Sequence, residues 1–131
     1  RSHLVAIHIK GYVGRLSALC GCVIASTGAA CGIVMLNGGT VGQMGYAVKN
    51  MIANISGMMC DGAKVGCALK VATGVACAVS SAALAMSNVS AGSNDGIVAD
   101  DVEQTIANLG TIGKFGMQKT DEMILDIMIN K

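Results

Sequence analysis

No proline and no tryptophan occur among the 131 residues, and aromatic side chains make up only 2% of them. Without proline, turns must rely on Gly, Asn, Ser and Asp. Without tryptophan, and with Tyr12, Tyr46 and Phe115 scattered along the chain, there is no aromatic belt of the kind that marks a membrane–water interface. Charge is scarce as well: 13% of residues, a net charge of +1, and no cluster of Lys and Arg. Binding to a nucleic-acid backbone needs such a cluster, so no nucleic-acid partner is expected. The chain starts Arg1-Ser2-His3, and no charged-then-apolar leader follows. The expectation is a piece of a longer protein.

What is plentiful is small and aliphatic. Hydrophobic residues make up 53%, carried by Ala, Val, Ile, Leu and Met, with 18 Gly among them. Small side chains let helix backbones approach closely. At this length one domain is expected, burying about two-thirds of its unfolded surface.

Two uncharged runs, Leu16 to Val48 and Val71 to Asn94, are each longer than the ~20 apolar residues that span a bilayer. The first contains Gly28-x-x-x-Gly32, a pattern of membrane helix pairs. Gly, Ser, Thr and Asn dilute both runs, and Lys and Arg do not cluster beside them. Central helices, hydrophobic all round because they are buried all round, are therefore expected instead of membrane spans.

The periodicity predicts helices over about 13–36, 40–59 and 64–86, with residues 3–12 ambiguous between strand and helix. Asn37-Gly38-Gly39 ends the first and Thr40 caps the second. Asp100 with Glu103 resembles a capping box ahead of Val102, Ile106 and Leu109. Thr120 is expected to cap a last helix with Ile124, Ile127 and Met128 inward. The fold class is all-α: a compact helical domain, 1–131, with long buried Ala/Gly-rich central helices.

Six cysteines lie in these apolar, helix-like runs, so free thiols in a reducing cytoplasm are expected over a disulfide scaffold. Cys60-Asp-Gly-Ala-Lys-Val-Gly-Cys67 places two of them across a Gly-containing helix break. It is either a metal clip, with Cys67 at a helix start that favours anions, or a pair of small buried hydrophobes. In Cys20-Gly-Cys22, regular helix geometry would point the two side chains about 200° apart. Cys31 and Cys77 lie about 15 Å further along their helices than Cys20 and Cys67, which suits core packing. Four thiolates at 20, 22, 60 and 67 are also a possible zinc set. No residue stands out as a catalytic base; Lys64 suits a carboxylate anchor better.

Gly14-Arg-Leu-Ser-Ala-Leu-Cys-Gly-Cys22, Asn50-Met-Ile-Ala-Asn-Ile-Ser-Gly-Met-Met-Cys-Asp-Gly-Ala-Lys64, Gly66-Cys-Ala-Leu-Lys-Val71 and Ala91-Gly-Ser-Asn94 resemble the iron–sulfur-dependent L-cysteine desulfidases, a family related to the L-serine dehydratases. The resemblance covers the whole chain but only the C-terminal third or so of the family's length. It implies a 4Fe–4S cluster held by Cys20, Cys60 and Cys67, with one iron left open as a Lewis acid. It implies conversion of L-cysteine to hydrogen sulfide, pyruvate and ammonia, or of L-serine with loss of water. The catalytic base and a second domain would lie in the N-terminal part, leaving no catalytic residue in this chain, and a homodimer is an open expectation. Val65 departs from the proline expected in many relatives.

Overall fold

The computed structural model describes residues 1 to 131 and holds six α-helices and no strand. They are α1 Ser2–Val13, α2 Gly21–Leu36, α3 Val41–Ile55, α4 Cys67–Met86, α5 Val102–Thr111 and α6 Gln118–Asn130, and a one-turn π-helix, Ile112–Gly116, joins α5 to α6. The all-α expectation holds. α2, α3 and α4 pack on one another as the central layer. α1 lies on α2 and α5, and α5 also meets α3. Between them sits a core built from Val23, Val34, Met51, Ile52, Ala78 and Leu109, among others.

Several helix ends differ from the sequence expectation, each for a tertiary reason. The ambiguous residues 3–12 are helical, and the helix stops at Gly14, whose φ of 88° suits glycine. Residues 14–20 are not helical. Ser17 there donates to the Gly113 carbonyl at 2.5 Å and accepts from the Leu19 amide at 3.0 Å. α3 ends at Ile55 because residues 58–60 turn to pair with residues 18–20. Thr40 does cap α3: its hydroxyl accepts from the Gln43 amide at 3.2 Å, while Gln43 Oε1 accepts from the Thr40 amide at 2.9 Å. Asp101, not Asp100, caps α5 by accepting from the Gln104 amide at 2.9 Å. The Asp100 carbonyl accepts instead from the buried Lys49 ammonium at 2.7 Å. α6 starts at Gln118, two residues before Thr120, and buries no side chain fully. Ile124 and Met128 are half-buried, and Ile127 faces solvent.

Gly28 and Gly32 form no membrane pair here. They are the seat of α1 on α2: a Cβ on Gly28 would stand 2.5 Å from the Ser2 carbonyl oxygen, and one on Gly32 would stand 3.2 Å from Ser2 Cβ. α2 is buried nearly all round, as expected. α4 is not. Its inner face carries Gly74, Cys77, Ala78, Ser81, Ala82 and Ala85, while Leu69, Val75 and Val79 are exposed. α4 is also the one helix long and apolar enough, by length and composition, to cross a membrane.

Cys31 and Cys77 are both buried in the core, on α2 and α4. Burial pushes the Cys31 thiol up to about 11, from an ordinary 9.0. A raised thiol favours folding while it stays protonated. That contribution is fully present below pH 9 and is lost as pH rises through about 11. The melting temperature of the chain should therefore fall more steeply over that interval than that of Cys31→Ala. Parallel pH profiles of the two proteins would show Cys31 to be indifferent.

Candidate functional site

Three chain segments meet at one corner of the fold. Leu19 and Met59 form an isolated antiparallel bridge, framed by Cys20 N donating to Met58 O at 2.9 Å and Cys60 N donating to Ala18 O at 2.6 Å. In such a pairing Cys20 stands opposite Met58 and Cys60 opposite Ala18. The two cysteines are then diagonal neighbours, with Cα atoms roughly 7–8 Å apart. Cys67 is the first residue of α4, and its thiol donates to the Gly62 carbonyl at 3.4 Å.

Cys20 is not part of a regular helix. It is the cap residue before α2, with extended backbone (φ −64°, ψ 130°). The expected opposition of Cys20 and Cys22 therefore lapses. Burial, then the adjoining Cys20 thiol, then Cys67, push the Cys22 thiol up. Cys20, Cys22 and Cys67 are thus electrostatic neighbours, and the backbone bridge brings Cys60 in beside Cys20. All six cysteines are free thiols.

The helix geometry makes this corner favourable to negative charge. α2 and α4 pack directly on each other and run parallel, α3 carrying the chain back from the end of one toward the start of the other. Cys22 and Ser26 near the start of α2 accordingly face Val71 and Gly74 near the start of α4. Both helix N-termini turn their positive dipole ends toward the thiols, while the first three amides of α4 already donate to the carbonyls of Lys64, Val65 and Gly66.

Lys70 sits one turn into α4. Its ammonium donates to the Met59 carbonyl at 2.8 Å and pairs with the Asp61 carboxylate, which flanks Cys60. That hydrogen-bonded ammonium holds the Asp61 carboxyl below its ordinary range, and Asp61 raises Lys70 in return. Lys70 is a clasp from the helix bearing Cys67 to the segment bearing Cys60. Lys64, the lysine favoured from sequence, is exposed and forms no ion pair. The i, i+3 spacing of Cys67 and Lys70 was the signal for the other choice. Lys70→Met should leave helix content unchanged but speed both amide exchange at Met59–Asp61 and alkylation of Cys60 severalfold. Unchanged rates would show that the bridge alone holds the segment.

Beside Cys60 lies a cavity of about 510 Å³ between the 14–21 segment and α6. Lys10, Arg15 and Asp121 line it together with Leu16, Ile124 and Met128. None of the three charged residues forms an ion pair within the chain. Met128 reaches across to Gly62 (φ 92°), where a Cβ would lie 2.7 Å from its methyl carbon.

No group of three or more His, Cys, Asp or Glu side chains is gathered around a single-ion position. Neither the four cysteines 20, 22, 60 and 67 nor the three cysteines 20, 60 and 67 form such a group. The soft thiolate donors of Cys20, Cys60 and Cys67, carried by segments that meet at this corner, are of the chemical type that holds an iron–sulfur cluster.

The model of the serine dehydratase alpha chain family matches residues 1–126, and the chain belongs to that family. It is similar to UPF0597 proteins of Bacteroides fragilis (58% identical over 130 residues), Phocaeicola vulgatus (57% over 130 residues) and Clostridium perfringens (52% over 131 residues). Each match takes in 99% of this chain. It spans 30% of the Bacteroides and Phocaeicola relatives and 31% of the Clostridium one. No solved structure matches the chain.

Proposed function

We propose that this member of the serine dehydratase alpha chain family is the cluster-holding portion of an iron–sulfur lyase that converts L-cysteine to hydrogen sulfide, pyruvate and ammonia. The observation that supports the reading is the convergence of the segments that carry Cys20, Cys60 and Cys67: residues 18–20 pair with 58–60, and Lys70, one turn after Cys67, donates to the Met59 carbonyl. These three thiolates would hold a 4Fe–4S cluster, and the two helix ends would offset its negative charge. When bound, such a cluster supplies an open iron as a Lewis acid for the departing group.

The chain's own residues do the rest of the binding. In the cavity beside Cys60, the guanidinium of Arg15 and the ammonium of Lys10 suit an α-carboxylate, and the carboxylate of Asp121 suits an α-ammonium. The Lys70 clasp fixes Cys60 relative to Cys67. The base that takes the α-proton is assigned to the part of the longer protein that the chain does not span. The setting is the cytoplasm, where thiols stay reduced.

L-serine dehydration is the second reading, favoured by the family's own description. Both reactions remove the α-proton and the β-substituent, sulfide or water. The resulting enamine hydrolyses to pyruvate and ammonia. The deciding experiment measures pyruvate from each substrate, and sulfide from L-cysteine, in the longer protein containing this chain after anaerobic supply of iron and sulfide. Turnover of L-cysteine above L-serine is expected. The opposite order moves the reading to serine dehydration, and no pyruvate from either sinks both.

A further inference from the structure

α4 has two apolar faces and only one of them is covered. The inner one packs on α2 and α3. On the outer one, Leu69, Ala72, Ala76, Val79 and Ala83 are all exposed, with Leu69 at 75% and Val79 at 53%. Their spacing is 3, 4, 3 and 4, the heptad pattern of a helix that receives another helix along its length. The stripe is about 21 Å long at 1.5 Å per residue. No charged residue occurs between Val71 and Asn94, so nothing on it discourages an apolar partner. The alanines at three of its five positions would allow close approach. It begins two residues after Cys67, at the thiol corner.

We infer that this stripe is the docking face for an apolar helix in the part of the longer protein that the chain does not span, and that docking there roofs the thiol corner. The inference deepens the two-part reading above and rests on it. The chain spans 30% of its Bacteroides fragilis relative, so more than twice its own length is available to cover it. Exposed apolar side chains also occur on two other elements, Leu4 and Ile7 on α1 and Leu125 and Ile129 on α6. A two-fold contact between copies covers one patch, whereas a large remainder of the same chain can cover all three. A bilayer is a poor occupant. Thr73 and Ser80, both exposed, flank the stripe, and the polar Ser87-Asn88 turn ends the helix one turn beyond it.

Carbene footprinting tests this on two proteins: this chain, and the full-length Bacteroides fragilis relative. Leu69 to Ala83 should label strongly in this chain. The aligned residues of the relative should be shielded at least fivefold, at every protein concentration. Equal labelling in the two proteins overturns the inference. So does concentration-dependent shielding in this chain with a dimeric mass that Val79→Glu returns to monomeric, which makes a second copy the occupant. Recovery of this chain, but not its Val79→Glu variant, with phosphatidylcholine vesicles makes lipid the occupant and overturns it equally. Footprinting reads docking and pyruvate reads chemistry. A shielded stripe in a protein that releases no pyruvate keeps the interface and discards the lyase reading.

Discussion

Cys20→Ala, Cys60→Ala and Cys67→Ala should each lose nearly all iron after anaerobic reconstitution, while Cys31→Ala and Cys77→Ala keep it. Removing a partner of a metal ligand already lowers affinity about 10- to 100-fold, and removing a thiolate itself should exceed that. Cys31 and Cys77 are buried away from the corner, Cys31 with its thiol directed at the Met44 carbonyl at 3.7 Å and Cys77 beside Ser81. Cys22→Ala is the discriminating variant. Cys22 adjoins Cys20, yet burial and its neighbours push its thiol up and make ionisation harder than at an ordinary cysteine. Full iron is expected in Cys22→Ala. Iron per chain and the absorbance of the brown protein check all six variants. Full iron in Cys60→Ala would remove the ligand assignment.

The largest effect on stability is expected at Gly28. A side chain there has to pass through the Ser2 carbonyl, 2.5 Å from the position of its Cβ, with Ala6 Cβ at 3.2 Å. Backbone on one side and a methyl group on the other leave no flexible atom to yield. Gly28→Leu should cost about 3 kcal/mol, the upper range for overpacking, and appear as a lower denaturant midpoint with loss of α1 protection in amide exchange. Gly11→Leu, with nothing within 4 Å of its Cβ position, is the control and should change stability little. A Gly28→Leu protein as stable as the native one would mean that α1 can slide on α2 at no cost.

Which segments are helical followed from apolar spacing; where they stop did not. Gly14 to Cys20 reads as helix because Leu16, Leu19 and Cys20 continue the apolar spacing of the run that follows. It is held open by Ser17 bonding to Gly113, nearly one hundred residues away. Met58 to Cys60 leaves α3 for the same kind of reason, its partners being Ala18 and Cys20. Single-sequence periodicity carries no information about such pairings. The corner itself was only half readable. Cys60 and Cys67 stand at a visible helix break, but the placement of Cys22 depended on a regular helix that begins only at Gly21. Lys70 was hidden among apolar neighbours. On α6, periodicity named Ile124, Ile127 and Met128 as an inner face. Its neighbours are the π-turn and, through Met128, Gly62, too few to bury Ile127.

The bridge between residues 18–20 and 58–60 also has a bearing on the unfolded chain. Cys20 and Cys60 are forty positions apart, and in the unfolded ensemble their ends meet seldom. A ligand set that includes both is a cross-link across that loop, and closing a loop of this length removes chain entropy equivalent to about 4 kcal/mol. Cys60 and Cys67 close only a short loop and add less. Loading therefore favours the native hairpin of α2 and α3 over every conformation in which those helices are apart. Iron removal should lower the unfolding temperature of the whole domain, because the connection lost is between its first third and its middle.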